Sequence, residues 1–380
     1  MPLVAGNGEI SQSTTSKGYA MKTYKNLYEQ IYDFENLHQA YLMARRNKRF
    51  REGVLAFSAN LEENLIDLQN HLMHQSYKVG NYIEKLIYIP KKRIIMILPF
   101  RDRVVQWAIY RVLRPIFEPS YITDSYGCIR GRGCLAAVRR IQYWLTMLED
   151  DPRPLYVLSM DIKKYFFRVP HDVILGILGS KIADKQAMWL CDLIVNSRTK
   201  AFGLPLDVID VANAEMLWDV GMPVGSLFSQ MVANIVLDKM DQYVKRDLQQ
   251  KYYLRSVDNS AIFSFDENQL HILEAQIARF LHEKLGLEFS ATSIRDARDG
   301  FEFVGYRIWS DKLILRKSTS LRMKQRLKLV KKLYSEGKIS RETATSTYHS
   351  YLGRMQHCTN NSLMEKVKKE FVLVRPRISG

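Results

Sequence analysis

The chain predicts an α+β fold, and three observations carry that prediction. Apolar residues recur every three to four positions over 24–75 and again over 317–335, the spacing that gathers them on one face of a helix. Between these ends, 82–99, 155–161 and 252–265 are short runs rich in β-branched and aromatic residues, bounded by turn formers, as strands and hairpins are. Two further apolar helices, over 226–247 and 267–285, flank the hairpin that carries Asp258.

Composition narrows the function. At 380 residues and 47% hydrophobic content, the chain is long enough for one large or two to three ordinary domains with a proper core. Lys and Arg number 56 against 40 Asp and Glu, a net charge of +16. With 21 Tyr and 16 Phe, that balance suits a polyanionic partner, because basic faces interleaved with aromatics accept phosphates and bases. A plain basic protein is the bland alternative. Cys128, Cys134, Cys191 and Cys358 show neither metal-ligand spacing nor a disulfide framework, which fits a reducing cytoplasm. No apolar run reaches the roughly 18–20 residues that span a bilayer. Residues 1–23 read as a disordered extension or leader, with Met21 a candidate start.

In chain order, 24–47 set Leu27, Ile31, Phe34, Leu37 and Tyr41 on one stripe, and 52–75 set Leu55, Leu61, Leu65, Leu68 and Leu72 on another. Both are packing helices, with Arg45, Arg46, Lys48, Arg49 and Arg51 forming a basic surface between them. Residues 82–99 predict two strands around Pro90-Lys91-Lys92-Arg93. Cations at such a tip suit a triphosphate, or simply keep a strand edge soluble. Phe100-Arg101-Asp102-Arg103 caps a helix over 102–116. The basic, Gly-rich loop 125–134 leads into a helix over 134–148; its glycines admit a phosphate that Arg130 and Arg132 would neutralise, and a plain surface loop is the equal alternative. The strongest local signal is an apolar strand ending in Asp161, followed by Lys163, Lys164 and the aromatic triplet Tyr165, Phe166 and Phe167. Carboxylates at strand ends commonly ligate metal. Met222-Pro223-Val224-Gly225 then opens the helix over 226–247; small residues there suit close approach by a nucleotide or base pair, and capping by Ser226 is the bland account.

The ordered set of Asp161 with Lys-Lys-Tyr-Phe, then Met222-Pro223-Val224-Gly225 with Ser229-Gln230, then the Asp258 hairpin, then Phe303-Val304-Gly305-Tyr306, resembles motifs A, B, C and E of a reverse transcriptase palm. Ile89 to Arg93, Arg101 to Gln106 and Ser125 to Arg130 resemble the motifs that precede them. The Val-Gly-x-x-x-Ser-Gln form of motif B is similar to that of diversity-generating retroelements and related defence-associated bacterial enzymes. The resemblance implies a right-hand polymerase, with fingers over 24–150, a palm with an antiparallel sheet over 151–310, and a helical thumb over 311–380. It implies RNA-templated DNA synthesis with two Mg²⁺ ions, or Mn²⁺ in their place, held by Asp161, Asp258 and the backbone carbonyl of Ile162. Lys91, Lys92, Arg93 and Arg101 would neutralise the triphosphate. Phe166 would exclude a ribose 2′-hydroxyl, and Gly225 and Gln230 would shape the template wall. Arg130 and Arg132 would touch template backbone, and the Gly305-Tyr306 turn would grip the primer strand. A dedicated noncoding RNA or partner protein, in antiphage defence or retroelement diversification, is the expected setting.

Two departures from the family pattern stand out. The box usually written Tyr-x-Asp-Asp is Ser256-Val257-Asp258-Asn259 here, so its second carboxylate is an amide. The family's usual Lys falls at Ser293, and Arg295 nearby is a poor acid because a guanidinium does not give up its proton. Together they motivate an alternative, a catalytically silent subunit that binds RNA or a partner polymerase; an RNA polymerase of related geometry is disfavoured by Phe166. Residues 311–380 hold seventeen Lys and Arg against five Asp and Glu, which is +12 of the chain's +16. Lys317, Arg322, Lys324 and Arg326 stand on the helix predicted there, as a thumb that follows duplex backbone requires.

Overall fold

A computed structural model describes residues 22–87, 93–196, 200–204, 216–359 and 362–374. Its first part is helical: α1 (Tyr28–Tyr32), α2 (Phe34–Ala44), α3 (Glu52–Ala59) and α4 (Leu61–Met73). The helix predicted over 24–47 is therefore two. Asp33, at φ −52° and ψ 135°, leaves the helical region, and its carboxylate caps α2 by accepting from the Asn36 N–H at 3.0 Å. The helix predicted over 52–75 likewise breaks at Asn60, at φ −126° and ψ 58°. Strands β1 (Ile83–Ile87) and β2 (Arg93–Ile97) form the expected basic hairpin. Its tip, with Lys91 and Lys92, lies outside the described residues, and Arg93 opens β2 opposite Ile87.

Helix α5 (Phe100–Phe117) begins two residues before the predicted helix. Asp102 does not cap it. The side chain is buried inside the first turn and accepts from the Tyr77 hydroxyl at 2.6 Å and the Gly80 N–H at 3.0 Å. Then follow β3 (Ser125–Tyr126), α6 (Cys134–Met147), β4 (Tyr156–Ile162), α7 (Tyr165–Arg168), α8 (His171–Gly179), α9 (Lys185–Val195) and α10 (Leu227–Gln242), which runs on into a π-helical turn, Tyr243–Asp247. The hairpin is β5 (Tyr253–Ser256) and β6 (Asn259–Ser264). Helix α11 (Glu267–Leu285) matches its predicted bounds, with Asp266 capping one end and Gly286, at φ +63°, closing the other. The chain ends with β7 (Phe289–Asp296), β8 (Phe301–Phe303), β9 (Tyr306–Ile308), β10 (Leu313–Leu315), α12 (Lys317–Ser335), α13 (Arg341–Met355) and α14 (Ser362–Glu370).

The central sheet has the order β3-β5-β6-β4-β7, antiparallel throughout except for the short β3–β5 pair. Alternation along β4 divides the core in two. Leu158, Met160 and Ile162 face a cluster built with α1, α2, α5 and α8 to α11, whereas Leu155 and Val157 face a second cluster built with α6, β8 to β10 and α12 to α14. Asp161 shares the parity of Val157, so its side chain belongs to the face that the C-terminal elements overlook.

Candidate active site

Asp161 lies opposite Asn259 of β6 and Ala291 of β7, and Asn259 lies opposite Ser256 of β5. Directly opposed residues of antiparallel strands share a face. Ser256, Asn259, Asp161 and Ala291 thus form one row across the sheet, at the end of β4. A register shift between Asp161 and Ile162 loosens the ladder there. The hairpin turn comes back to the same point, because the Ile162 N–H donates to the Asp258 carbonyl at 3.1 Å. The turn residue Asp258 is thereby seated, through its backbone, beside the end of the strand that carries Asp161.

Their neighbours tune them. Ser290 Oγ donates to Asp161 Oδ2 at 2.7 Å, and Asn259 Nδ2 donates to Asp258 Oδ1 at 3.1 Å. Among the described residues no group of three or more His, Cys, Asp or Glu surrounds one point. The candidate oxygen donors in and next to this row are the Asp161 and Asp258 carboxylates, the Asn259 amide and the Ile162 carbonyl. All are hard oxygens, and Mg²⁺ is commonly held by one or two carboxylates with substrate phosphates completing the shell, so the residues fit that ion. Ser293 sits opposite Ser159, two residues along the strands from Asp161 and on the same face.

The small-residue loop before α10 is built as the sequence indicates. Ser226 Oγ accepts from the Ser229 N–H at 3.2 Å, capping the helix. Gln106, which sequence reading left as part of a motif, reaches across from α5; its Oε1 accepts from Ser226 Oγ at 3.0 Å and the Leu227 N–H at 3.2 Å. Gly225 is at φ +102°, and a Cβ there would stand 3.1 Å from Ile95 of β2, so this position needs glycine. Val224 accepts from the Met96 N–H at 3.1 Å, tying the loop to the hairpin of β1 and β2. The Phe166 carbonyl accepts from the Met222 N–H at 2.6 Å, tying its backbone to that loop, and its half-buried ring packs 5.5 Å from the Tyr165 ring centroid.

A cleft of about 540 Å³ opens between these elements, lined by Gly225, Gln230, Lys48, Arg51, Lys85 and Arg103. Burial, then the nearby Arg103 and Arg51, push the Lys48 ammonium below its ordinary value, as desolvation and like charges do. Ala44, Lys48 and Trp107 also line a larger cleft of about 1450 Å³ that carries Arg111, Arg114 and Arg130. Arg101 instead lays its guanidinium 5.3 Å from the Tyr77 ring centroid. Arg130 is exposed, whereas Arg132 donates to the Ile122 carbonyl at 2.9 Å and helps close its own loop.

On the C-terminal side, Gly305 turns the β8–β9 hairpin at φ +92°. Tyr306 is buried, its hydroxyl 3.4 Å from the Arg354 carbonyl and its ring 5.9 Å from that guanidinium. Helix α12 buries Met323, Leu327 and Val330 and holds seven Lys and Arg with no acid. Lys317 and Lys324 are exposed, and Arg322 and Arg326 are half-exposed.

An antiparallel-rich sheet with Asp161 at the end of one strand and the Asp258 turn seated beside it, with a hairpin and helices on one side and a basic helical unit on the other, is a right-hand polymerase fold. Residues 83–308 match the family described as reverse transcriptase (RNA-dependent DNA polymerase), and the chain belongs to it. Protein YkfC of Escherichia coli K12 is 26% identical over 260 residues, which cover 58% of this chain and 65% of that protein. The group II intron-encoded protein LtrA of Lactococcus lactis is 27% identical over 178 residues, covering 45% of this chain and 27% of LtrA. The chain thus spans less than two thirds of these relatives. Telomerase of Candida albicans, solved with a fragment of telomeric RNA, superposes with a TM-score of 0.44 at 13% identity, covering 78% of this chain and 56% of that one.

Proposed function

We propose that the chain is an active RNA-templated DNA polymerase that works with a dedicated noncoding RNA, in antiphage defence or retroelement diversification. The observation that carries this reading is the bond from the Ile162 N–H to the Asp258 carbonyl, which seats the hairpin turn against the strand that ends in Asp161. Asp161, Asp258 and the Ile162 carbonyl would hold two Mg²⁺ ions, or Mn²⁺. Such ions, roughly 3.5–4 Å apart, stabilise the attacking and leaving oxygens of nucleotidyl transfer.

Ser290 aside, the remaining roles are those the family resemblance gives these residues. Ser290 orients Asp161 through its 2.7 Å hydrogen bond. Phe166, fastened to the Met222 loop, crowds the 2′ position of the incoming sugar, and dNTPs are the substrates. Lys91, Lys92, Arg93 and Arg101 meet the triphosphate. Gly225 and Gln230 wall the cleft on the template side, and its cluster of cations suits the strand's phosphates. Arg130 and Arg132 touch template backbone from their loop. Gly305 and the buried Tyr306 hold the primer-side turn against α13, and Lys317, Arg322, Lys324 and Arg326 follow the duplex. On this reading fingers, palm and thumb divide at about residues 150 and 310.

A second reading has a specific observation in its favour. The Asn259 amide occupies one oxygen of Asp258, and Ser293 supplies no acid on the face where one would protonate pyrophosphate. A silent subunit that binds RNA or a partner polymerase has both features. Purified protein with its bound nucleic acid, given labelled dNTPs and Mg²⁺, separates the two. The active reading requires incorporation that Asp161→Ala abolishes and that strongly favours dNTPs over NTPs. RNA binding with no incorporation, even for Asn259→Asp, supports the silent subunit.

A further inference from the structure

The turn that presents Asp258 is held in a conformation its own residues do not favour. Val257 is β-branched yet stands at φ +57°, a region such residues avoid unless their surroundings impose it. Both of its backbone groups are taken. Its N–H donates to the Tyr126 carbonyl at 3.2 Å, and its carbonyl accepts from Arg255 Nη1 at 2.9 Å. Gly127 makes room for its side chain, since a Cβ at that glycine would stand 2.6 Å from Val257 Cγ2.

Arg255 is fully buried, and each of its five N–H donors has an acceptor. Nε and Nη2 reach the two oxygens of Asp241 on α10 at 2.8 and 2.7 Å. Nη1 also donates to Asn234 Oδ1 at 3.1 Å, and Nη2 to Ser125 Oγ at 3.0 Å. The Tyr253 hydroxyl donates to Asp241 Oδ1 at 2.7 Å, and Asn234 Nδ2 donates to the Gly127 carbonyl at 3.0 Å. Burial acts against the charge, and the Asp241 carboxylate more than offsets it. A buried ion pair is often no more stabilising than an apolar trio of the same volume, so stability alone does not account for this one. What a guanidinium supplies, and an apolar side chain does not, is a fixed fork of donors.

We infer that Arg255, clamped by Asp241, is a positioning residue that locks Val257 in its left-handed turn, fixes Asp258 against Ile162, and couples the turn to α10. The coupling matters because α10 begins at the loop of Gly225 and Ser226. Template wall and metal turn are then parts of one rigid frame. The inference deepens the polymerase reading and rests on it for its metal-binding arm.

The test uses the full chain with Arg255→Lys, and with Arg255→Met/Asp241→Leu/Tyr253→Phe, which replaces the polar trio by apolar groups. Three quantities are read: the thermal midpoint, amide exchange over 255–262, and Mn²⁺ affinity. For each variant that keeps a cooperative transition, exchange over 255–262 is expected to quicken at least about ten-fold while β4 and α10 stay protected. Mn²⁺ affinity is expected to fall about ten-fold or more, the range seen when supporting residues of a metal site are removed. If the triple variant does not fold, Arg255→Lys alone decides. Unchanged exchange over 255–262 in a folded variant overturns the clamp. A wild-type chain that neither binds Mn²⁺ nor incorporates dNTPs overturns the polymerase reading, and the exchange measurement still decides the clamp.

Discussion

Replacing Asn259 by Asp restores the family's second carboxylate, and its consequences can be worked from the structure. Asn259 Nδ2 stands 3.1 Å from Asp258 Oδ1, and Asn259 faces Asp161 across the ladder. Two unit charges at that separation repel by about 5 kcal/mol at an effective dielectric near 20. Partial exposure, salt and proton uptake by one of the pair reduce this, so a net cost of about 1–3 kcal/mol without metal is expected, including the lost amide hydrogen bond. That is a fall of roughly 1–4 °C in the thermal midpoint for a chain of this size. Divalent metal should reverse the sign, because a ligand that binds only the folded state stabilises by about 2.7 kcal/mol at one hundred times its Kd. The assay is thermal unfolding with and without Mg²⁺, alongside dNTP incorporation at limiting Mg²⁺, which should rise about ten-fold if affinity gains about 1.4 kcal/mol. A variant as stable as wild type without metal, and no better stabilised by Mg²⁺, would refute the placement of Asn259 at a metal site.

Three other predictions follow from named groups. Ser293→Lys places an ammonium on the face of Asp161, two residues along β7, and should raise single-turnover incorporation by about ten-fold or more, as an added general acid does; an unchanged rate contradicts that placement. Asp238 is buried, and burial first, then Asp241, raise its carboxyl to about 6. The folded state then holds a proton that the unfolded chain releases near pH 4, so this group makes stability fall as pH rises from about 4 to 6. Asp238→Asn should remove that slope and raise the midpoint at pH 7, by up to about 3 kcal/mol of unfolding free energy; calorimetry across pH 4–7 checks it. For α12, log affinity for duplex should fall with log salt, and Lys317→Ala and Lys324→Ala should each lower the slope by about 0.9; a slope near zero in filter binding contradicts the thumb reading.

Local signals in the sequence carried much of this fold. Asp266 and Gly286 bracket α11 because one caps and the other accepts a left-handed conformation, and both preferences belong to the residue itself. Ser226 is another such case. The breaks at Asp33 and Asn60 were hidden because apolar spacing continues across them, so periodicity alone reads one helix where there are two. Asp102 looked like a cap because Asp is a common one, while its burial depends on Tyr77 and Gly80, contacts made only by the tertiary fold. At the candidate site, the apolar run that ends in Asp161 was legible as a strand with a carboxylate at its end. Gln106, Ser290 and the Arg255–Asp241 pair were not legible, because Arg255 reads as an ordinary strand residue until α10 is laid beside it.

The central claim is that Asp161 and Asp258 together make a working polymerase centre. Its most direct test is the chain purified with its bound nucleic acid, supplied with labelled dNTPs and Mg²⁺ beside Asp161→Ala and Asp258→Ala. The account predicts labelled DNA from the wild type and none from either variant, with RNA retained by all three. Incorporation that survives both substitutions, or a wild type that keeps its RNA and makes no DNA, would contradict it.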